Sequence, residues 1–189
     1  MIYSLSGKID GRQQGFAIIN VHGVGFKVFA SPRTLGKLDG DVNVFTHLHV
    51  KEDALDIYGF LSKKELNFFE QLISISGVGP KSALSVMEVD ELPKLIAAIQ
   101  EGRPDLLTQA SGIGRKTAER IIIELRGKVG ETESASIVKT MDSDSDIIET
   151  LVSLGYKKDV ARAALAKVPG DIAEMEPRLK AALKILSVK

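Results

Sequence analysis

The octapeptide Ser76-Gly77-Val78-Gly79-Pro80-Lys81-Ser82-Ala83 recurs 35 positions later as Ser111-Gly112-Ile113-Gly114-Arg115-Lys116-Thr117-Ala118, with five identities and two conservative exchanges. Each copy follows an apolar, helix-like stretch (Phe68, Phe69, Leu72 and Ile73 in one, Leu106 and Leu107 in the other) and precedes a second such stretch. The glycines therefore sit between two helices, where they supply the positive φ of a tight turn. A helix that starts at such a turn has free backbone N–H groups and the positive end of its dipole directed at whatever lies beyond, which is a site for phosphate. The first turn of a helix favours acids, yet these two carry Lys81 in one and Arg115 with Lys116 in the other. Arg120, four residues past Lys116 on the same face, extends the positive row. Matched cations at matched turns point to binding of a phosphate backbone.

Nucleotide chemistry does not fit. A P-loop needs Gly-Lys-Ser/Thr in succession, and Pro80 and Arg115 interrupt that order. The dinucleotide fingerprint fails too, because Ser82 and Thr117 stand in place of the third glycine and no strand leads into either turn. Neither ATPase nor dehydrogenase chemistry is expected on this chain, and no cofactor. There is no cysteine, so disulfides, thiolate zinc sites and cysteine-ligated iron–sulfur clusters are not available. His47 and His49 share a strand face by the period of two, and Glu52 or Asp53 could add an oxygen ligand. No further histidine supports a metal there, so they read as surface-strand histidines. The scattered acids form no isolable pair for a nuclease or lyase.

Twenty-five basic residues balance 25 acidic ones, and residues 71–126 hold seven of each. A nucleic-acid protein usually carries excess positive charge. If this chain binds DNA, it must segregate its charges by face. It shows neither a basic-then-apolar leader nor a long apolar run, so the expectation is a soluble cytoplasmic protein.

The elements that must position the turns divide into domains. Residues 1–61 read as short strands (2–9, 16–21, 26–30, 42–50 and 54–60) separated by turns, a small barrel of the OB type. Phe16, Phe26, Phe29, Phe45 and Phe60 read as barrel core rather than as a stacking platform, and Lys51-Glu52-Asp53 as a hairpin tip. Ser62-Lys63-Lys64-Glu65 has capping-box spacing and opens the helical domain, 62–128, with helices near 62–75, 80–88, 91–101, 104–109 and 115–127. Residues 129–145 lose apolar periodicity and read as a flexible linker. Residues 146–189 read as a three-helix bundle, with a stripe through Ile147, Leu151 and Leu154 ended by Gly155 and helices near 158–167 and 171–186. A small tethered bundle suggests a partner-binding module.

The two turns are helix-hairpin-helix motifs, and 111–120 closely resembles the second such motif of the RuvA family of bacterial Holliday-junction-binding subunits. Phe45-Thr46-His47, Lys51-Glu52-Asp53-Ala54, Tyr58-Gly59-Phe60, Gly77-Val78-Gly79-Pro80-Lys81 and Leu154-Gly155-Tyr156 resemble RuvA segments in the same order. Ala110-Ser111 departs from the Leu-Pro more common there. The resemblance implies an OB barrel, a double helix-hairpin-helix domain and a UBA-like three-helix bundle. It implies a homotetramer, one or two per junction, that holds a four-way junction open and square. It further implies recruitment of a RuvB-type AAA+ ATPase and association with a RuvC-type resolvase. Carried over residue by residue, Lys81, Arg115, Lys116 and Arg120 would grip phosphates together with the backbone of Gly77, Val78, Gly79, Gly112, Ile113 and Gly114. Glu52 and Asp53 would form an acidic pin, and Leu151, Leu154, Tyr156 and Leu183 would face the motor. Two rival readings follow from the residues alone: a structure-specific nuclease or lyase that uses the hairpins as its grip, and an adaptor whose hairpins only pack.

Overall fold

A computed structural model describes residues 1–129, 134–169, 172 and 174–187, with backbone alone for 134–142. The chain forms two compact units, Met1–Thr132 and Glu133–Lys189.

The first unit opens with a closed barrel of β1 (Ser4–Gln13), β2 (Phe16–Val21), β3 (Val24–Phe29), β4 (Asp41–Val50) and β5 (Leu55–Phe60), in the order β1-β2-β3-β5-β4. β1 serves two partners, pairing β4 through Ser4–Lys8 and β2 from Lys8 onward, with a register shift between Ile9 and Gly11. Such an irregularity bends a strand, which lets one strand turn the barrel corner. Closure comes from a short parallel pairing of β3 with β5, Val28 opposite Ile57 and Phe29 opposite Tyr58. Gly59 permits this approach, because a Cβ there would lie 2.4 Å from Val28 Cγ1. Leu5, Ala17, Ile19, Val28, Val44 and Ile57 fill the interior.

The expected aromatic core needs correction. Of the five phenylalanines assigned to it only Phe60 is fully buried, while Phe26 packs partly against the barrel core. Alternation along β2 and β3 turns Ala17 and Val28 inward, which sends Phe16 and Phe29 to the outer face. There they meet edge to face, with Lys27 Nζ 4.4 and 4.7 Å from the two ring centroids. Between β3 and β4 a short helix, α1 (Pro32–Lys37), went unread in the sequence. Its signal was present, a Ser31 cap whose hydroxyl accepts from the Thr34 N–H, followed by proline at the first helical position.

The helices of this unit are α2 (Lys63–Ile73), α3 (Pro80–Val89), α4 (Leu92–Gln100), α5 (Pro104–Leu107) and α6 (Arg115–Leu125). The capping box at α2 is complete. Ser62 Oγ accepts from the Glu65 N–H at 3.2 Å, and Glu65 Oε2 accepts from the Ser62 N–H at 3.1 Å. Ser62→Ala removes one half of that exchange, and chemical denaturation should show a loss of about 1 kcal/mol with the m-value unchanged.

Barrel and hairpins, expected as separate domains, share a buried seam. Phe69 of α2 is fully buried, stacked on Tyr58 with centroids 5.3 Å apart, and lies 4.8 Å from Phe60 and 5.6 Å from His47. His47 Nδ1 and Glu70 Oε1 meet at 3.0 Å beside it. Burial, reinforced by the Asp56 charge, pushes the Tyr58 phenol above its usual pKa. The hinge between strand-like and helix-like sequence is therefore a packed joint.

In the second unit α7 (Ser134–Ser153), α8 (Lys158–Leu165) and α9 (Met175–Ser187) surround Ile147, Leu151, Ala161, Leu165, Val168 and Ala182. The linker expected over 129–145 is helical from Ser134, while 130–133 lie outside the described residues. Ser, Thr and Asp cost only a few tenths of a kcal/mol each in a helix, and no Gly or Pro falls between Gly130 and Gly155. Propagation from the packed C-terminal half is therefore cheap. Asp144, read as linker, is the carboxylate that holds the buried Arg178, whose guanidinium also donates to the carbonyls of Pro169 and Ile172.

Candidate nucleic-acid interface

The two glycine turns adopt one conformation. Gly77 has φ 89° and Gly112 φ 81°, the left-handed region open to glycine. Each turn closes with the same hydrogen bond, Val78 N–H to the Ile75 carbonyl at 3.0 Å and Ile113 N–H to the Ala110 carbonyl at 3.2 Å. The second turn thus closes like the first despite Ala110-Ser111. Val78 and Ile113 are buried at 4% and 5% exposure, pinning each turn to the helical core. Their side chains and amides are spent inside the fold. Within the fold they anchor the turns.

The helix starts match as closely. Gly79 caps α3 with φ −86° and ψ 169°, and Gly114 caps α6 with φ −82° and ψ 168°. Neither cap has a side chain that bonds the first-turn amides, and neither first turn holds an acid. The first helical bonds run from Ala83 N–H to Gly79 O and from Ala118 N–H to Gly114 O, both 2.9 Å. The amides of Gly79, Lys81 and Ser82 precede the first of these, and those of Gly114, Arg115, Lys116 and Thr117 precede the second. Helix geometry gives such groups no acceptor within the helix. Each forms a ring of donors at the positive end of a helix, with an exposed lysine at its rim.

Lys81 and Lys116 have no ion-pair partner among the described residues, whereas the exposed Arg115 pairs with Glu119 at 3.0 Å. Two acids near the end of α3 are engaged away from its start. Glu88, roughly 10 Å along α3 from Lys81, accepts from the Arg33 N–H, and Asp90 pairs with Lys94 at 3.4 Å. The Arg103 guanidinium donates two bonds to Asp105 and holds that carboxyl below its usual range against the effect of partial burial, with Arg115 adding to the same direction.

Arg120, four residues past Lys116 on α6, bonds across the hairpins. Its Nη1 donates to the Ser76 carbonyl at 2.9 Å, reaching from α6 to the turn of the other hairpin. In the reverse direction, Ser82 Oγ of α3 would lie 3.0 Å from a Cβ at Gly112. Sequence reading had no signal for either contact, because both join positions far apart in the chain.

Glu52 and Asp53 are exposed at the β4–β5 tip, closed by Lys51 N–H to the Ala54 carbonyl at 2.9 Å and flanked by Lys51 Nζ on Asp56 at 3.2 Å. His47 lies away from this tip in the barrel–hairpin joint. Among the described residues no cluster of three or more His, Asp or Glu could hold a metal ion. In the second unit Leu154 is 60% exposed, and Tyr156 and Leu183 are half-buried against the bundle core. Leu151 is fully buried there, which corrects its assignment to a presented surface. Val152, Val160 and Met175 are further exposed apolar residues of the same unit. No helix of the described residues is long and apolar enough to cross a membrane.

Three family models match the chain in succession: RuvA N terminal domain over residues 1–59, SAM-like helix-hairpin-helix tandem over 69–128, and RuvA C-terminal domain over 144–187. Among curated proteins, the Holliday junction branch migration complex subunit RuvA of Dehalococcoides mccartyi (strain CBDB1) is 41% identical over 195 residues, covering all of both chains. The protein of the same name from Marinomonas sp. (strain MWYL1) is 38% identical over 195 residues, covering 97% of this chain and 98% of its own. With RuvA domains matched at both ends, the hairpin tandem between them and full-length relatives at this identity, the chain belongs to the RuvA family.

Proposed function

We propose that this chain binds Holliday-junction DNA by its shape and serves as a subunit of a branch migration complex. The observation that carries the reading is the pair of conformationally matched helix starts, each with first-turn amides that have no acceptor in the helix and a lysine with no ion-pair partner among the described residues. Donors and charge of this kind contact phosphate, which gives affinity without base readout. Lys81, Lys116 and Arg115, with the amides of Gly79 and Gly114, contact phosphates of a duplex arm, and Gly77 and Gly112 allow the backbone to turn close to it.

Glu52 and Asp53 act by repulsion. Two exposed carboxylates at a strand tip raise the cost of placing phosphate there. A continuous duplex must run its backbone past them, whereas an open four-way centre leaves them a gap. Replacing both by their amides should tighten binding to linear duplex several-fold more than binding to a junction, seen by fluorescence anisotropy with the two DNAs in parallel. Equal changes for the two would show that the tip does not discriminate.

The chain supplies DNA binding rather than catalysis, with ATP hydrolysis on a RuvB-type partner and a RuvC-type resolvase as a further associate. Leu154 with Tyr156 and Leu183 offers an apolar face for the motor. A homotetramer provides the four-fold arrangement that a four-way junction requires, and the cytoplasm is the compartment. The decisive experiment is equilibrium binding of the chain to a four-way junction and to linear duplex of matched sequence across a salt series. A strong junction preference supports the reading, and equal binding removes it. Metal-dependent junction cleavage by the purified chain would favour the nuclease.

A further inference from the structure

We infer that Glu70 is a positioning residue for DNA selectivity: its bond to His47 fixes the acidic β4–β5 tip relative to the first glycine turn, and so sets how strongly the chain rejects linear duplex. This rests on the proposal that Glu52 and Asp53 act by repulsion at that tip.

A repulsive tip discriminates only where it is held in the path of a continuous duplex, so its position relative to the phosphate grips matters as much as its charge. The tip and the first grip belong to different elements. From the His47–Tyr58 pair the β4–β5 ladder runs through Leu48–Ile57 and His49–Asp56 to Val50–Leu55, and Lys51 Nζ on Asp56 at 3.2 Å braces the end. The tip therefore moves with the barrel, roughly 15 Å from His47 at the rise of a strand. Glu70 stands in the last turn of α2, seven positions before Gly77, and Val78 N–H closes the intervening turn onto the Ile75 carbonyl. The first grip therefore moves with α2. Barrel and α2 meet in the rings of Tyr58 and Phe69. Burial of those rings holds the two bodies together without direction, whereas a hydrogen bond fixes an angle. His47 Nδ1 and Glu70 Oε1 lie 3.0 Å apart, with 14% and 40% of their side chains exposed. A carboxylate only accepts, so Nδ1 donates. A second tie from barrel to helices, Arg33 to Glu88, is longer, at 3.4 and 3.5 Å. On a lever of that length a rotation of about 10° at the joint moves the tip by roughly 3 Å. Repulsion falls with distance and is screened within about 10 Å, so a shift of that size weakens it.

Because the chain lacks cysteine, Leu55→Cys beside the tip and Asn67→Cys on α2, both at exposed positions, can carry a pair of spin labels. Labelled chain is diluted into unlabelled chain so that each pair lies within one molecule, and pulsed dipolar spectroscopy reads the distance without DNA. Affinities for a four-way junction and for linear duplex of matched sequence are measured on the label-free chain. The variants are Glu70→Ala, which removes the acceptor, and Glu70→Gln, which loses the same charge but keeps an oxygen for His47. His47→Phe, which keeps a ring without the donor, tests the bond from the other side. The expected result is that Glu70→Ala and His47→Phe broaden the distance distribution and tighten duplex binding about threefold with junction affinity unchanged. Glu70→Gln keeps the parent's width and junction preference. In a Glu52→Gln/Asp53→Asn background, Glu70→Ala changes the preference no further. A parental preference in Glu70→Ala, at either width, would overturn the inference. So would a Glu70→Gln equal to Glu70→Ala, which leaves only the lost charge, or an effect that persists when the tip is neutral. Failure of the tip reading shows separately, as Glu52→Gln/Asp53→Asn leaving the preference at the parent value with Glu70 intact.

Discussion

Lys81→Ala combined with Lys116→Ala should weaken junction binding by about a hundredfold near ~0.1 M salt and lower the salt slope by about two. Each lysine is exposed, unpaired among the described residues, and stands at the rim of a helix start whose amides have no helical acceptor. Neutralising one phosphate releases close to one counterion, worth about a factor of ten at that salt concentration. The loss should be alike for junction and duplex, because in the proposed reading the lysines contact backbone and shape supplies the preference. Stability should hardly change, since cations at helix N-termini are placed against the dipole and their removal relieves a small unfavourable interaction. Titrations at several salt concentrations with one labelled junction decide the matter. A slope identical to the parent's would mean that the hairpins only pack, as the adaptor reading has it.

Phe69→Ala should cost about 3–5 kcal/mol and split the unfolding transition of the first unit into two. Phe69 is fully buried and joins the barrel, through Tyr58, Phe60 and His47, to the helices. Removing the ring leaves a cavity at the seam between strands and hairpins. In the parent, near-UV dichroism of the tyrosines and far-UV dichroism of the helices should melt together. In the variant the two signals should part, with the first loss about 10 °C or more below the parent midpoint. Coincident melting near the parent temperature would show that the barrel–hairpin joint contributes little. Junction affinity below the lower transition should survive, because the glycine turns do not touch this seam directly.

Much of the candidate site was legible because its signals are local. A glycine at positive φ, a lysine one turn into a helix and a serine three residues before a glutamate each act within a few bonds of themselves. Their readings at Gly77, Gly112, Lys81, Lys116 and Ser62 needed no knowledge of the remaining chain. Strand positions followed from the period of two, but that period does not say which alternate face is inner when both carry apolar residues. Phe16 and Phe29 were misplaced for that reason, since Ala17 and Val28 occupy the interior. The start of α7 was missed because composition and conformation part company there. A Ser- and Asp-rich segment has weak helix propensity, but weak propensity does not oppose a helix propagated from a packed end.

The amino-acid order by itself determined the duplicated glycine turns, the unusual cations at two helix starts, the absence of a nucleotide loop and the family resemblance that the comparisons bear out. Tertiary structure alone decided that Val78 and Ile113 are anchors and that Leu151 is core. It also set the Phe69 seam between barrel and hairpins and the bond from Arg120 to the Ser76 carbonyl across 44 residues of sequence. The division has a physical cause. Torsional preference and capping are properties of neighbouring residues, whereas burial and cross-hairpin bonds depend on which distant surfaces exclude water from each other, and that is fixed only when the chain has closed on itself.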